Sequence, residues 1–215
     1  MFRRIRERLL LFAKQCIFNL FHHGLKIRKI DGYYVRLSVV GKDNRISFGS
    51  SSYLNYPEII IHGHDNVLYI GKNNHIGPGC SFLIEGNNLR VEIGDCCSFN
   101  NTVHFCCQEN DVKIVVGTNC MFSNNIIVRT SDSHPIFDRV TKNRLNCAKD
   151  VIIGDHVWVA PNAKLLKGAV VGSGSIIGSN ALVTKEIPSN CLAVGMPAIV
   201  VRHNIEWSSE PAFEI

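Results

Sequence analysis

Between Ile153 and Pro188 the hydrophobic positions recur every six residues. Read in sixes, the stretch is IGDHVW, VAPNAK, LLKGAV, VGSGSI, IGSNAL and VTKEIP. The first residue of each block is aliphatic: Ile153, Val159, Leu165, Val171, Ile177 and Val183. The fifth is small or aliphatic: Val157, Ala163, Ala169, Ser175, Ala181 and Ile187. A helical period would scatter these positions around a cylinder, and simple alternation would not repeat every six. A sustained hexapeptide repeat predicts a β-solenoid.

A second repeat precedes the first. Its blocks begin at Ile70, Ile76 and Phe82, then Ile93, Phe99 and Phe105, then Val116, Phe122 and Val128. Each triplet describes one coil of three short strands, and successive triplets start 23 residues apart. The five residues beyond a plain coil fall at Glu85-Gly86-Asn87-Asn88 and Gln108-Glu109-Asn110-Asp111, both rich in turn formers. Residues 23 apart should therefore stack, with Cys97 over Cys120 and Phe99 over Phe122. The next block should begin at position 134, but that residue is His134, and the pattern does not resume until Val151. Residues 134–150 must leave the solenoid as a loop, and long ordered loops on rigid scaffolds are where function concentrates.

The expected organisation is then an amphipathic helix over 1–24, irregular β coils over 25–69, a solenoid over 70–190 interrupted by the loop, and an extension over 191–215. In the first segment Phe2, Ile5, Leu9, Phe12, Ala13, Cys16, Ile17, Leu20 and Phe21 form one apolar stripe, and Gly24 is a natural stop. Arg3, Arg4, Arg6, Arg8 and Lys14 flank it. Two readings stand: a helix packed on the solenoid end or a neighbouring subunit, and a peripheral helix on an anionic membrane surface.

Composition narrows the class. With 46% hydrophobic and 19% charged residues the chain can bury a core. A net charge of +5, much of it near the N-terminus, suits an anionic ligand and gives no reason to expect nucleic acid. No apolar run is long enough to span a bilayer, and Lys14 and Gln15 cut short any signal-peptide core, so a cytoplasmic protein is expected, with the inner membrane face as a second location. Nine scattered cysteines without a Cys-x-x-Cys pair read as reduced core residues. Cys80, Cys97 and Cys120 occupy fifth positions of hexads, where a small inward side chain is needed.

The candidate chemistry gathers around the interruption. His134 lies in Thr130-Ser131-Asp132-Ser133-His134-Pro135, where the repeat requires an aliphatic. Histidine is the side chain suited to base work near neutral pH, and local rule-breaking favours functional sites. The plain reading is a loop histidine bonded to a backbone carbonyl. Asp132 orients that base or contacts an acceptor, or it stabilises an Asx-type turn. Trp158 falls at an outward sixth position, where it offers a contact surface for a sugar or an apolar arm, or packs against another subunit. His62-Gly63-His64 is a close histidine pair, but nothing completes a tetrahedral site, so no metal is expected.

The pattern at Ile153-Gly154, Val171-Gly172 and Ile177-Gly178, with Gly195-Met196-Pro197-Ala198, resembles the left-handed parallel β-helix of the hexapeptide acyltransferases. Ser131 to Asp138, the later Val157-Trp158, and Asn204-Ile205-Glu206-Trp207 resemble the capsule O-acetyltransferases, including those acting on polysialic acid. The resemblance covers residues 70–207. It implies a homotrimer with sites between subunits, acetyl-CoA as donor, and a surface polysaccharide or its precursor as acceptor. It assigns His134 as general base and a tryptophan, Trp158, beside it. Thr184, Lys185 and Arg202 match contacts to the 3′-phosphate end of coenzyme A. Ala160 and Ser179 match positions whose backbone amides bond the pantetheine, with alanine where glycine is frequent and serine where alanine is. Asn100 matches loosely an acceptor-binding asparagine. Enzymes of this fold acting on serine, galactosides, amino sugars or streptogramin drugs share much of the pattern, and a non-catalytic scaffold is the remaining alternative.

Overall fold

A computed structural model describes residues 26–210. The helix expected over 1–24 and the last five residues lie outside that range. Within it the chain is entirely β, and its strands form three sheets. No helix among the described residues is long and apolar enough to cross a membrane.

The strands follow one another around three faces in strict rotation. The first face stacks Tyr33–Val40, Glu58–His62, Ser81–Glu85, Val103–Gln108, Ile126–Arg129, Lys164–Leu165 and Leu182–Val183. The second stacks Arg45–Phe48, Val67–Ile70, Arg90–Ile93, Lys113–Val116, Val151–Ile153, Val170–Val171 and Glu186–Ile187. The third stacks Tyr53–Leu54, His75–Ile76, Ser98–Phe99, Met121–Phe122, Trp158–Val159, Ile176–Ile177 and Leu192–Val194. All these pairings are parallel, which makes a three-sided solenoid consistent with the expected left-handed β-helix. Antiparallel strands lie at the two ends: Lys26–Ile30 beside Tyr33–Val40, and Ile199–Arg202 beside Leu192–Val194.

The 23-residue stacking holds. Phe99 pairs with Phe122, and Phe82 with Phe105. Their rings form a continuous inner ladder, with Phe82 and Phe105 stacked at 5.2 Å and Phe99 and Phe122 at 4.9 Å. Cys80, Cys97, Cys120 and Cys191 are buried free thiols. The backbone N–H of Cys120 lies 3.4 Å from Cys97 Sγ, so these sulfurs stack as well. Toward the C-terminus the coil shortens: the step from Val159 to Ile177 is 18 residues, and from Ile177 to Ala193 it is 16. The inward positions there are aliphatic, at Val159, Leu165, Ile177 and Val183.

The extra residues of the long coils do not simply protrude. Cys106, Cys107 and Gln108 pair with Leu83, Ile84 and Glu85, so the first-face strand runs on into the first residue of each insertion. Ile84 and Cys107 continue the inward alternation and are buried, which is why the strand runs on. The turn proper is Gly86-Asn87-Asn88, stacked on Gly63-His64-Asp65 below it. The Gly86 N–H donates to His62 O at 2.9 Å, and the His64 N–H to Asn87 Oδ1 at 2.9 Å. Residues 33–70, irregular in sequence, are nonetheless full coils in register with the rest. Buried Asn66 and Asn74 stand at corners in place of aliphatics and use both ends of their amides. Asn74 donates to Gly94 O and accepts from the Cys97 N–H.

Candidate functional site

The step from Val128 to Leu165 on the first face is 37 residues, and it contains the loop. Departure comes earlier than the hexad count implies. Thr130 still follows the ladder, its N–H donating to Cys106 O, and its hydroxyl donates to Gln108 O at 3.1 Å while accepting from the Gln108 N–H. The chain then turns away at buried Ser131 and rejoins at Val151. The aliphatic that the repeat requires over Val116 is Ile153, not residue 134. His134 is therefore a loop residue, exposed, and replaces no core side chain.

The loop has its own order. Residues 136–145 form a small hairpin, with the Leu145 N–H donating to Ile136 O and a bridge between Phe137 and Arg144. Asp138 holds the hairpin turn by accepting from the Val140 and Thr141 N–H groups and the Thr141 hydroxyl, which keeps its carboxyl below the usual range. Two ion pairs tie the loop to the scaffold. Arg144 meets Glu109 on the corner turn one coil below at 2.6 Å, and Lys167 on the coil above meets Asp132. Ser131 adds a 2.6 Å bond to the same Glu109 oxygen. Neither Glu109, Arg144, Asn146 nor Lys167 follows from the hexad pattern; the stacked turns at 85–88 and 108–111 were the available signal for Glu109.

These contacts set a pH response. The Arg144 guanidinium beside Glu109 holds that carboxyl below its ordinary value, and the Lys167 ammonium followed by the Asn146 amide does the same for Asp132. A depressed carboxylate stabilises the fold above its unfolded value, about pH 4 for both types, and that contribution disappears as pH falls through the lower folded value. Hydrogen exchange corrected for intrinsic rates should show protection lost at Asp138 and Leu145 as pH drops from 6 to 3, while the Phe99–Phe122 ladder stays protected. Unchanged loop protection at pH 3 would contradict the anchoring role of these pairs.

The structure sorts the sequence-predicted residues into groups on different parts of one chain. The edge between the first and second faces carries Asp132, His134 and, two coils on, Thr184 and Lys185. Two coil steps correspond to about 10 Å along the axis. The edge between the third and first faces carries Asn100, Ala160 and Ser179. Trp158 lies on the third face, between Met121 and Ile176. Arg202 pairs with Leu192 at the start of the last third-face strand, across the second face from Lys185. No hydrogen bond or ring contact joins His134 to Trp158 among the described residues.

Individual expectations fare differently. The Ala160 N–H donates to Ile177 O at 2.8 Å within the solenoid ladder, and Ala160 is buried. Its amide is thus already engaged, which corrects the expectation that it faces the pantetheine. Ser179 is exposed, and its N–H has no partner among the described residues. Asp132 turns its carboxylate to Lys167 and Asn146 rather than to the imidazole. Asn100 borders a third-face cavity of about 220 Å³ with His75, Ser98 and Ser123. Trp158 is half-buried because the tail folds back beside it. Trp207 stacks on His156 at 4.0 Å, bonds its backbone carbonyl through the indole N–H, and comes within 5.9 Å of the Trp158 ring. The Trp158 indole N–H is buried without a partner among the described residues. His62 pairs with Glu85, and His64 Nδ1 accepts from the Lys42 N–H. No group of three potential metal ligands occurs among the described residues.

Comparison with known proteins places this geometry in context. Residues 150–185 match the bacterial transferase hexapeptide family (six repeats). The chain is 41% identical over 91 residues to a polysialic acid O-acetyltransferase of Escherichia coli O1:K1 / APEC, a match covering 42% of this chain and 30% of that protein. It is 30% identical over 147 residues to a polysialic acid O-acetyltransferase of Neisseria meningitidis, covering 60% of this chain and 68% of the relative. The match thus spans less than a third of the first relative's length and about two thirds of the second's. Among solved structures, a polySia-specific acetyltransferase superposes with a TM-score of 0.63 at 30% identity, over 82% of this chain and 89% of that one.

Proposed function

The chain belongs to the hexapeptide-repeat acetyltransferases, and from that premise we propose that it moves an acetyl group from acetyl-CoA to a hydroxyl of an anionic surface polysaccharide such as polysialic acid. The observation that carries the reading is the anchored loop. It holds an exposed imidazole on the same solenoid edge as Thr184 and Lys185.

His134 takes the proton from the acceptor hydroxyl as its oxygen attacks the thioester carbonyl. The carbon–sulfur bond then breaks, and the imidazolium returns the proton to the departing thiolate. An acetyl ester and free coenzyme A result, with no covalent enzyme intermediate. Thr184 and Lys185, exposed and without a carboxylate partner among the described residues, suit a phosphate, and the free Ser179 N–H suits a carbonyl of the pantetheine.

One chain does not bring these parts together, so the proposed site lies between subunits of a homotrimer. The loop hairpin exposes Ile136, Phe137, Val140 and Leu145, an apolar surface unusual for a tip this small. A neighbouring third face, with Trp158 and Met121 outward, is its natural partner. Trp158 then flanks the imidazole from the adjacent chain.

Charge supports the anionic acceptor. Arg139, Lys142 and Lys149 are exposed on the loop and make no ion pair among the described residues. Thiol release from acetyl-CoA across polysialic acid, simple galactosides, serine and virginiamycin tests the proposal. Polysialic acid should be preferred, and its KM should rise roughly tenfold between low and high salt, as steering by exposed cations requires. Arg139, Lys142 and Lys149 changed together to alanine should remove most of that salt dependence. Equal or better turnover of a neutral galactoside would refute the anionic acceptor, and no acceptor-dependent release would refute acetyl transfer.

A further inference from the structure

We propose that Asn146 and Lys167 are positioning residues that fix the backbone around His134, an inference that rests on the reading of His134 as the base. Asn146 is 7% exposed although it belongs to a surface loop. Its side chain grips the loop on both sides of the histidine. Oδ1 accepts from the Ile136 N–H at 2.6 Å, while Nδ2 donates to His134 O at 2.9 Å and to Asp132 Oδ2 at 2.8 Å. One carboxamide therefore ties residues 132, 134 and 136 together.

Lys167 completes the arrangement from the next coil. Its ammonium bonds Asp132 and, at 3.1 Å, the backbone carbonyl of Asn146. It thereby joins both halves of the loop to a corner of the solenoid, between strands Lys164–Leu165 and Val170–Val171. The imidazole itself has no hydrogen-bond partner among the described residues, so its place follows from the backbone that carries it. A base must stand within hydrogen-bond reach of the proton it removes, and a displacement of about 1 Å costs on the order of 10²-fold in rate.

The charge pattern separates this role from mere packing. Asn146→Asp preserves size and the bond from the Ile136 N–H. It removes the donor to His134 O and sets a carboxylate against Asp132. Adding Asp132→Asn restores a donor–acceptor pair between the two positions and leaves Lys167 an acidic partner.

The test is steady-state kinetics on the full chain, with concentrations corrected for folded protein and His134→Ala as reference. Asn146→Asp should lower kcat by about 30- to 100-fold with the KM for acetyl-CoA within about twofold. The Asp132→Asn/Asn146→Asp pair should recover at least about fivefold of that loss. Lys167→Met should also lower kcat, with Lys167→Arg losing less. A kcat for Asn146→Asp within threefold of the parent, or no recovery in the exchanged pair, would overturn the proposal while leaving the role of His134 intact. Undiminished turnover in His134→Ala would instead refute the underlying reading.

Discussion

His134→Ala is expected to lower kcat by about 10²–10⁴-fold, the range over which a positioned base contributes. The folded chain should hardly notice. His134 is exposed, replaces no core residue and, among the described residues, contributes only its backbone carbonyl to the loop's bonding. Exposed substitutions away from packed features change stability by roughly 0.5 kcal/mol or less, so melting should be unaffected within about two degrees. The KM for acetyl-CoA should also hold, because the groups proposed to meet its phosphates, the Thr184 hydroxyl and the Lys185 ammonium, lie two coils from the loop. Kinetics and thermal melts on one preparation separate these effects. A large fall in melting temperature, or retained kcat, would contradict this assignment.

The largest expected effect on stability is at Gly86. Its φ of +141° lies in a region that L side chains rarely adopt, and an added Cβ would fall 1.6 Å from the Glu109 carbonyl oxygen of the next coil. That oxygen belongs to a stacked backbone, so an alanine side chain would have to displace a whole coil corner. Conformational strain and overpacking together cost about 3 kcal/mol or more. For a chain of this size that is roughly 6–12 °C in melting temperature. Gly32 provides the control. Its φ is +91°, but nothing lies within 4 Å of the added carbon. Gly32→Ala should cost only the local strain, about 1 kcal/mol. Equal melting of the two variants would mean that the corner stack does not limit the coil spacing.

The scaffold is legible in the sequence because a solenoid converts period directly into position. Phe99 over Phe122 and Cys97 over Cys120 follow from an interval of 23, since each coil must occupy the same three faces. The first coils are harder to read. There Asn66 and Asn74 occupy corners where later coils place small or aliphatic residues, and a buried amide breaks the pattern while satisfying the next coil's backbone.

The site divides along the same line. Trp158, Ser179 and Thr184 lie on periodic coils, so the repeat fixes their places. The loop is aperiodic, and its anchors are chosen by contact, not by spacing. Glu109 and Lys167 come from two different coils and meet the loop only once it has folded between them. Ala160 shows the opposite failure. A resemblance can assign a role to a position, but the ladder bond to Ile177 O decides what its amide can do.

In the proposed homotrimer one chain supplies His134 and its neighbour supplies Trp158. This division is tested by mixing two variants, His134→Ala and Trp158→Ala, each expected to lose most of its activity. His134→Ala and Trp158→Ala chains, unfolded together in equal amounts and refolded, should assemble at random into the proposed closed trimers. If each site draws on two chains, about a quarter of the sites recover both side chains, and acetyl transfer should return to about a quarter of the unmutated rate. If His134 and Trp158 act from the same chain, no mixed assembly contains an intact site. Activity of the mixture no higher than that of either variant alone, with trimers present by light scattering, would contradict the account.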